Sequence, residues 1–527
     1  MADAITEATA KLVLDEVTER TQKRAKKAAA DKAKAAAPAQ PKENAPRPKE
    51  KTEEPTIDPD AMFKQGFLDD VYKERPVKPV VTRFPPEPNG FLHIGHSKAI
   101  AVNFGFAKYH GGQCCLRYDD TNPEAEEEKY FVAIEEMVRW LGFSPVKITY
   151  SSDNFQKLYD MAEKLIELGK AYVCHCNDDE IKAQRGGADR GGPRFRCAHA
   201  EQSIEHNLAE FRGVYEPMQR EYGRLSLTGT VLSKRKILRL VSEGIVRDWD
   251  DPRLFTLIAI KRRGVPPGAI LEFVNELGVT TAPSVIEMKR FDQSIRRYLE
   301  RTVPRLMLVL DPLPVVIEGA EELELDVPFS PKVPEMGSHK VKFTPTVYID
   351  RSDFREVDSK DYFRLAPEKS VGLYQVPYPI KAVSFSKDEA TGKVTEVRAV
   401  FDKEGKKPKT YIQWVASGSR EVEARIHNSL FKSEKPDDAE GGFLNDLNPE
   451  SEVIYPNALI ESAGFDEVRR RAPWPEAAGE SELGKGGPES VRFQAMRIAY
   501  FAMDSDSTDE KVVLNRIVSL KEDAGKS

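Results

Sequence analysis

From about Thr82 onward, apolar and polar positions repeat with the periods of folded elements. Residues 97–109 read as a helix, and Cys114–Tyr118 as a strand. Thr121-Asn122-Pro123 and a run of Glu predict the next helix start, because a small polar cap, Pro in the first turn and acids near the positive dipole end all agree. Val132, Ile134, Met137, Val138 and Leu141 then supply one apolar face, and Gly142 closes the helix. Ile204–Phe211 reads as a further helix. Strand, helix, strand, helix is the rhythm of a parallel α/β sheet. Residues 235–305 are mainly helical. After Leu306 the pattern shortens to alternating strands broken by Pro and Gly. One hairpin is expected from Val383 and Phe385 through a turn at Thr391-Gly392 to Val394–Phe401. The end of the chain is therefore expected to be all-β and barrel-like, and no internal repeat of fixed period is visible.

The 527 residues have room for three or four domains at about 150 residues each. With 40% hydrophobic and 31% charged residues, collagen-like, membrane-spanning and wholly disordered classes are excluded. No run approaches the ~18 apolar residues of a spanning helix, and no early stretch resembles a secretory signal. Five Cys make no disulfide framework, so a reducing, cytoplasmic location is expected. The net charge of −7 hides local asymmetry, since Arg20 to Lys51 holds 11 Lys/Arg against three acids. Arg20, Lys23, Lys27 and Lys34 share one helical face before Pro38, Pro41, Pro46 and Pro48 break any helix. Such a tail is either a solvated, largely disordered arm or a non-specific polyanion binder, and composition leaves both open.

The chemistry concentrates in Arg83-Phe84-Pro85-Pro86-Glu87-Pro88-Asn89-Gly90-Phe91-Leu92-His93-Ile94-Gly95-His96. This Pro- and Gly-rich loop runs into a helix, where free backbone N–H groups can receive phosphate oxygens. His93 and His96 add two donors, and Gly95 lets a flat ligand approach the backbone. Downstream, Leu232-Ser233-Lys234-Arg235-Lys236 can bring cations to a triphosphate as charge develops on its α-phosphate.

Together these stretches resemble the two signatures of class I aminoacyl-tRNA synthetases: His93–His96 matches the HIGH motif and Leu232-Ser233-Lys234 the KMSKS-type motif. With Leu116–Pro123, Val231–Lys236 and Trp249-Asp250-Asp251-Pro252-Arg253, the text is similar to glutaminyl-tRNA synthetases over about residues 60–527. Asn89 favours that branch over its glutamyl sister. The resemblance implies a class I Rossmann-like nucleotide-binding domain, a helical linker domain and C-terminal β-barrel anticodon-binding domains. It implies activation of L-glutamine with ATP and Mg²⁺, then transfer to the 2′-hydroxyl of the terminal adenosine of tRNA-Gln. His93, His96 and Lys234 would be catalytic. Glu87, Pro88, Asn89, His93, Ile94, Gly95, His96, Ser97, Lys98, Ala99, Arg224, Leu225, Leu232, Ser233 and Lys234 would hold ATP. Asp119 would bind the α-ammonium group and Arg83 the far end of the amino acid; the bland readings are a helix cap and a core ion pair. The tRNA would meet Thr280 through Glu287, Arg305, Arg364 and Gln494. Gly372 departs from the family, whose bacterial members have an anticodon-contacting Arg about there, so first-base recognition must differ or use a neighbour.

A metal site is also suggested. Cys174, Cys176, Cys197 and His199 form a Cys-x-Cys and a Cys-x-His pair around Gly186-Gly187 and Gly191-Gly192, a spacing able to close a tetrahedral Zn²⁺ site. The bland reading is ordinary reduced thiols. Cys114 and Cys115 have no partner pattern and are expected to be buried on the first sheet.

The distance between the two signatures is anomalous. Positions 143–231 would have to supply an acceptor-stem-binding insertion and the second half of the sheet, although one βαβ unit alone needs about 30 residues. The text passes from Arg212-Gly213-Val214-Tyr215 almost at once to Arg220–Leu225, so an internal segment near residues 213–214 is expected to be missing, with little or no aminoacylation left. The expected domains are a basic tail (1–60), the first half of the catalytic domain (61–173), a remnant insertion (174–213), the lysine-loop region (214–240), a helical linker (241–305) and two β-barrels (306–527). The rival readings are a glutamyl-tRNA synthetase and a catalytically inert tRNA-binding protein.

Overall fold

A computed structural model describes residues 58–520, apart from 59, 65–66, 75, 77–78, 123–125, 188–191, 213–224, 279–283, 360, 405–406 and 475–486; the basic tail lies outside the described residues. Two short helices, Ala61–Lys64 (α1) and Phe67–Glu74 (α2), precede a parallel sheet of Val81–Phe84 (β1), Gln113–Tyr118 (β2) and Ile148–Tyr150 (β3), ordered β1-β2-β3. Cys114, Leu116 and Tyr118 point into the core, and Cys115 between them is only half-buried, as a period of two demands. Ile94–Tyr109 (α3) connects β1 to β2, and Glu128–Trp140 (α4) connects β2 to β3.

Two expectations for α4 need correction. It starts at Glu128 behind Glu127, which makes no side-chain cap, and not at Thr121-Asn122-Pro123. The Glu126 carboxylate, ahead of the helix, accepts the Asn122 N–H at 2.8 Å, and Pro123 lies outside the described residues. Val132 is exposed, because it lies about 200° around the helix from buried Ile134. Tyr130, Ala133, Ile134, Met137 and Val138 make the buried face. Gly142 ends the helix with φ +84 as expected.

Phe155–Glu167 (α5), Asp178–Gln184 (α6) and Ile204–Phe211 (α7) follow, the last with the expected bounds. Leu225–Leu227 (β4) pairs in parallel with Ser284–Ile286 (β5), and no described strand joins this pair to the first sheet. Lys234–Ser242 (α8), Leu257–Arg263 (α9), Pro267–Leu277 (α10) and Met288–Thr302 (α11) form the helical block. One apolar core runs from Phe84 and Leu116 through Phe273 and Phe291 to Phe501.

Beyond it lie two seven-stranded, barrel-like sheets. One is built on Pro312–Glu318, Thr346–Asp350, Ile380–Lys387 and Val394–Phe401, with its own core around Trp414. The other is built on Arg420–His427, Glu452–Ile460, Ala499–Met503 and Val512–Ser519. Ile380–Lys387 and Val394–Phe401 form the expected hairpin, with Gly392 at φ +69.

Candidate nucleotide and tRNA site

The first backbone N–H groups of a helix have no partner inside it, and here two imidazoles organise them. His93 is the N-cap of α3: its Nδ1 accepts the Gly95 N–H at 3.1 Å, and His96 Nδ1 accepts the His93 N–H at 3.0 Å. With Nδ1 an acceptor in both, the neutral rings carry their protons on Nε2. The preceding loop is tied down on two sides. Ile94 donates to the Phe255 carbonyl at 3.1 Å and Leu257 to the Leu92 carbonyl at 2.8 Å, while Asp119 N–H donates to the Pro86 carbonyl at 2.9 Å. Gly95 lies against β4, where an added Cβ would stand 2.8 Å from the Leu225 carbonyl oxygen.

Lys234 reaches this loop from 145 positions away, its Nζ donating to Asn89 Oδ1. Asn89 Nδ2 in turn donates to Glu87 Oε2 at 2.7 Å. The lysine stem covers Gly90, and a Cβ at Gly90 would come within 2.9 Å of its Cδ and Cε. Burial pushes the Lys234 ammonium below the ordinary lysine range, with Glu87 opposing, and burial lowers Lys98 as well. Ser233 makes no side-chain cap on α8. One mouth thus gathers the starts of α3 and α8, two imidazoles and the Lys234 ammonium, an arrangement suited to a polyanionic ligand.

The other expected nucleotide residues divide by burial. Pro88, Ile94, Ser97 and Ala99 are buried and shape the loop, with Ser97 Oγ donating to the Ile94 carbonyl at 2.6 Å. Leu232 packs on the core, and Arg224 lies outside the described residues. Asp119 is buried beside the loop and accepts from Ser151 Oγ at 3.2 Å. It does not cap α4; Asp120 accepts the Ser152 N–H at 3.0 Å after β3. Arg83 is exposed on β1 and makes no ion pair among the described residues.

In the β region, Arg305 and Gln494 are register partners on adjacent strands. Arg364 shares the buried Asp353 carboxylate with Arg497. Glu287 is exposed at the start of α11, and Thr280 lies outside the described residues. Gly372 sits beneath the half-exposed Tyr411 ring, whose Cδ1 would be 2.4 Å from a Cβ there. Sequence reasoning gave no sign of this contact, since a lone Tyr in a strand carries no signal until its packing is seen.

The expected metal residues converge. One ligand atom each from Cys174, Cys176, Cys197 and His199 lie within 4.8 Å of one another. Tyr172, His199 and Cys174 hydrogen bonds hold the Cys197 thiol down, at about 6, while burial and thiol contacts to Cys176 and Cys197 hold Cys174 above the usual range. Cys114 is buried on β2 as expected, whereas Cys115, expected to be buried too, points to the other face of the strand and is only half-buried.

Among the described residues no helix is long and apolar enough to cross a membrane. The family model described as tRNA synthetases class I (E and Q), catalytic domain, matches this chain in two stretches, residues 79–216 and 210–301. The two anticodon-binding-domain models of the same family match residues 303–402 and 411–467. A "Glutamine--tRNA ligase protein virJ" of Hypocrea virens is 55% identical over 648 aligned positions covering all of both chains. Because this chain has 527 residues, at least 648 − 527 = 121 of those positions face no residue of it. The glutamine--tRNA ligase of Saccharomyces cerevisiae is 45% identical over 595 positions, spanning 88% of this chain and 73% of that protein. The "Glutamine--tRNA ligase, cytoplasmic" of Arabidopsis thaliana is 39% identical over 85% of this chain and 66% of its own length. With its two signatures meeting at one mouth and its sequence aligned end to end with a relative, the chain belongs to the glutamine--tRNA ligase family of class I tRNA synthetases.

Proposed function

We infer that the parent activity is ATP-dependent attachment of glutamine to tRNA-Gln in the cytoplasm. The observation that carries it is Lys234 lying over Asn89 and Gly90 at the mouth opened by His93 and His96. The glutamine carboxylate would attack the α-phosphorus, the bond to the β-phosphate oxygen would break, and pyrophosphate would leave. Lys234 and the N–H groups at the starts of α3 and α8 face the charge that builds on the phosphates. His93 and His96 Nε2–H groups are further donors at the same mouth. Mg²⁺ would travel with the triphosphate, held mainly by phosphate oxygens, and offset their charge. Asp119 would hold the α-ammonium and Arg83 the distal amide. The 2′-hydroxyl of the terminal adenosine would then attack the acyl carbon, lose its proton and release AMP. Arg305 and Gln494, paired in register, would read splayed anticodon bases, with Arg364 beside them and Glu287 and Thr280 toward the inner face of the tRNA. The domain boundaries drawn from the sequence are part of this reading.

The 527-residue form itself would be impaired. The family model breaks at residues 210–216, where the sequence passes directly from the insertion to the second signature, and at least 121 positions of the relative are unmatched. This break favours a second reading for the chain as it stands, a tRNA-binding form without turnover. Charging of tRNA-Gln is the test. A chain carrying the relative's segment between Gly213 and Val214 should aminoacylate, and the 527-residue chain should run at roughly a hundredth of that rate or less while retaining filter binding. Equal steady-state rates would sink the shortened-form reading. Pyrophosphate exchange of the segment-carrying chain with glutamate in place of glutamine would identify a glutamyl enzyme.

A further inference from the structure

At Met307 the chain passes from one end of the sheet built on Arg420–His427 to the other. Arg305–Leu306 is a strand at one end, beside Gln494 and Ala495, and Leu308–Val309 is a strand at the other, beside Leu459 and Ile460. Met307 belongs to neither, so among the described residues no strand pairs its fully buried backbone. A buried N–H left without a partner is costly. Glu461 supplies that partner from the start of the helix Ser462–Arg471 (α12). Its Oε1 accepts the Met307 N–H at 2.7 Å, and its own N–H donates to the Met307 carbonyl at 3.2 Å.

The other carboxylate oxygen is held from the first barrel. His339 lies on the strand Ser338–Phe343, whose Val341 and Phe343 pack into the core around Trp414. Its Nε2 is 2.6 Å from Glu461 Oε2, and both side chains are buried. A carboxylate oxygen only accepts, so Nε2 carries the proton. Nδ1 is buried with no hydrogen-bond partner among the described residues, which leaves Glu461 as the anchor of the ring. The imidazole stacks on Phe329, with centroids 4.4 Å apart, and the Phe329 carbonyl accepts the Arg305 N–H at 2.7 Å. From the far end of α12, Arg471 lies over the Phe329 ring at 5.6 Å and donates to the Met336 carbonyl at 2.9 Å. This close approach of α12 needs glycine at 464, where a Cβ would stand 2.6 Å from His339 Nε2 and 2.7 Å from Leu306 Cδ2.

These contacts fix one short stretch of backbone. On one edge, the Gln494 N–H donates to the Pro304 carbonyl at 2.8 Å and the Met496 N–H to the Leu306 carbonyl at 3.0 Å. Phe329 holds the other edge at Arg305, and Glu461 holds the next turn of chain at Met307. Strand side chains alternate between faces, so a slip of one residue would exchange half-buried Arg305 for buried Leu306. We propose that His339 and Glu461 are positioning residues for tRNA recognition. The pair bridges the two barrels and keeps Arg305 beside Gln494 in the register that presents both to an anticodon base. Buried themselves, the two residues act through the backbone; the proposal rests on the reading of Arg305 as an anticodon contact.

Filter binding by the full chain tests this, with tRNA-Gln compared against the same tRNA carrying one substituted anticodon base at a time. Arg305→Ala should lower the preference for the native base about tenfold at one position, the worth of one bidentate side-chain contact to a base. His339→Leu should lower it at that same position by a comparable factor and leave affinity for the substituted tRNA unchanged. His339→Gln, whose amide nitrogen can take the place of Nε2, should restore most of the preference. A role in packing alone would rank Leu above Gln. Glu461→Asp keeps the charge but is one carbon short of spanning both partners, and it repeats the test if His339→Leu does not fold; circular dichroism and the unfolding midpoint report folding. The proposal is overturned if folded His339→Leu or Glu461→Asp keeps the full preference while Arg305→Ala loses it. If Arg305→Ala keeps it too, the anticodon reading of Arg305 fails and takes the proposal with it, so the arginine variant tells the two failures apart.

Discussion

Lys234 is the side chain on which the two signatures depend, and its neighbours make sharp demands on single residues. A methyl group at Gly90 would overlap the lysine stem at 2.9 Å. Gly90→Ala should therefore displace Lys234 and weaken ATP binding about as much as Lys234→Ala itself, each by roughly tenfold or more. Isothermal titration with ATP separates this from a general loss of fold, which an unchanged unfolding midpoint would exclude. In the β region, Tyr411 covers the backbone of Gly372. Tyr411→Ala should lower tRNA affinity by ~1–3 kcal/mol if the ring stacks on a base, and Tyr411→Phe should retain it. Filter binding with unchanged affinity for Tyr411→Ala would remove the ring from recognition. The sequence singles out Gly372, but only packing shows the Tyr411 ring lying against it.

Elements whose pattern is set by local periodicity were legible: α7 has its expected bounds, the hairpin ending at Phe401 forms, and Gly142 stops α4. The start of α4 was not, because the Glu126 carboxylate closing on Asn122 competes with the cap signal at Thr121-Asn122-Pro123. Which elements meet was carried by motif resemblance more than by period, as with β4 lying against Gly95. The Trp249–Arg253 turn shows how such contacts are secured. Asp251 is fully buried; burial alone would raise its carboxyl, but Arg253 at 2.8 Å and the N–H groups of Arg247 and Arg253 outweigh that and hold it at about 2. Trp249 at the head of this turn packs on Phe91, with ring centroids 5.7 Å apart, and its carbonyl accepts from Thr256 Oγ1 beside the histidine loop. A carboxyl whose folded pKa lies below its unfolded value of ~3.9 stabilises the fold fully above that pH and loses the contribution as pH falls toward 2. About 2 kcal/mol is at stake between pH 4 and 2. Asp251→Asn should unfold earlier in urea at pH 6, and its stability should fall less than that of the wild type between pH 5 and 3.

At the scale of the whole molecule, the surface bears on the proposal that an internal segment is missing. An amphipathic helix should turn its apolar stripe to a core. On α5, Phe155, Leu158, Met161 and Leu165, with Leu168 just beyond, follow helical spacing, yet all are exposed, and Ile166 is the one buried side chain of the helix. The first sheet tells the same story: β1 pairs only with β2 among the described residues, with Val81 62% exposed, and β4 pairs only with β5. In a doubly wound order the next strand would add at the β1 edge. An apolar stripe and an open edge on one domain mark a footprint and, left bare, an aggregation hazard. Inserting the relative's segment between Gly213 and Val214 should protect the α5 amides from hydrogen exchange about tenfold or more and abolish binding of a hydrophobic dye. Leu158→Lys and Leu165→Lys give the decisive contrast. In the 527-residue chain both side chains already face solvent, so the substitutions should change stability by less than ~0.5 kcal/mol. In the segment-carrying chain each should cost roughly 2 kcal/mol or more, because a buried leucine is lost and a charge takes its place. Equal, negligible effects in both chains would show that the stripe faces solvent whatever its neighbours, and that the missing segment packs elsewhere.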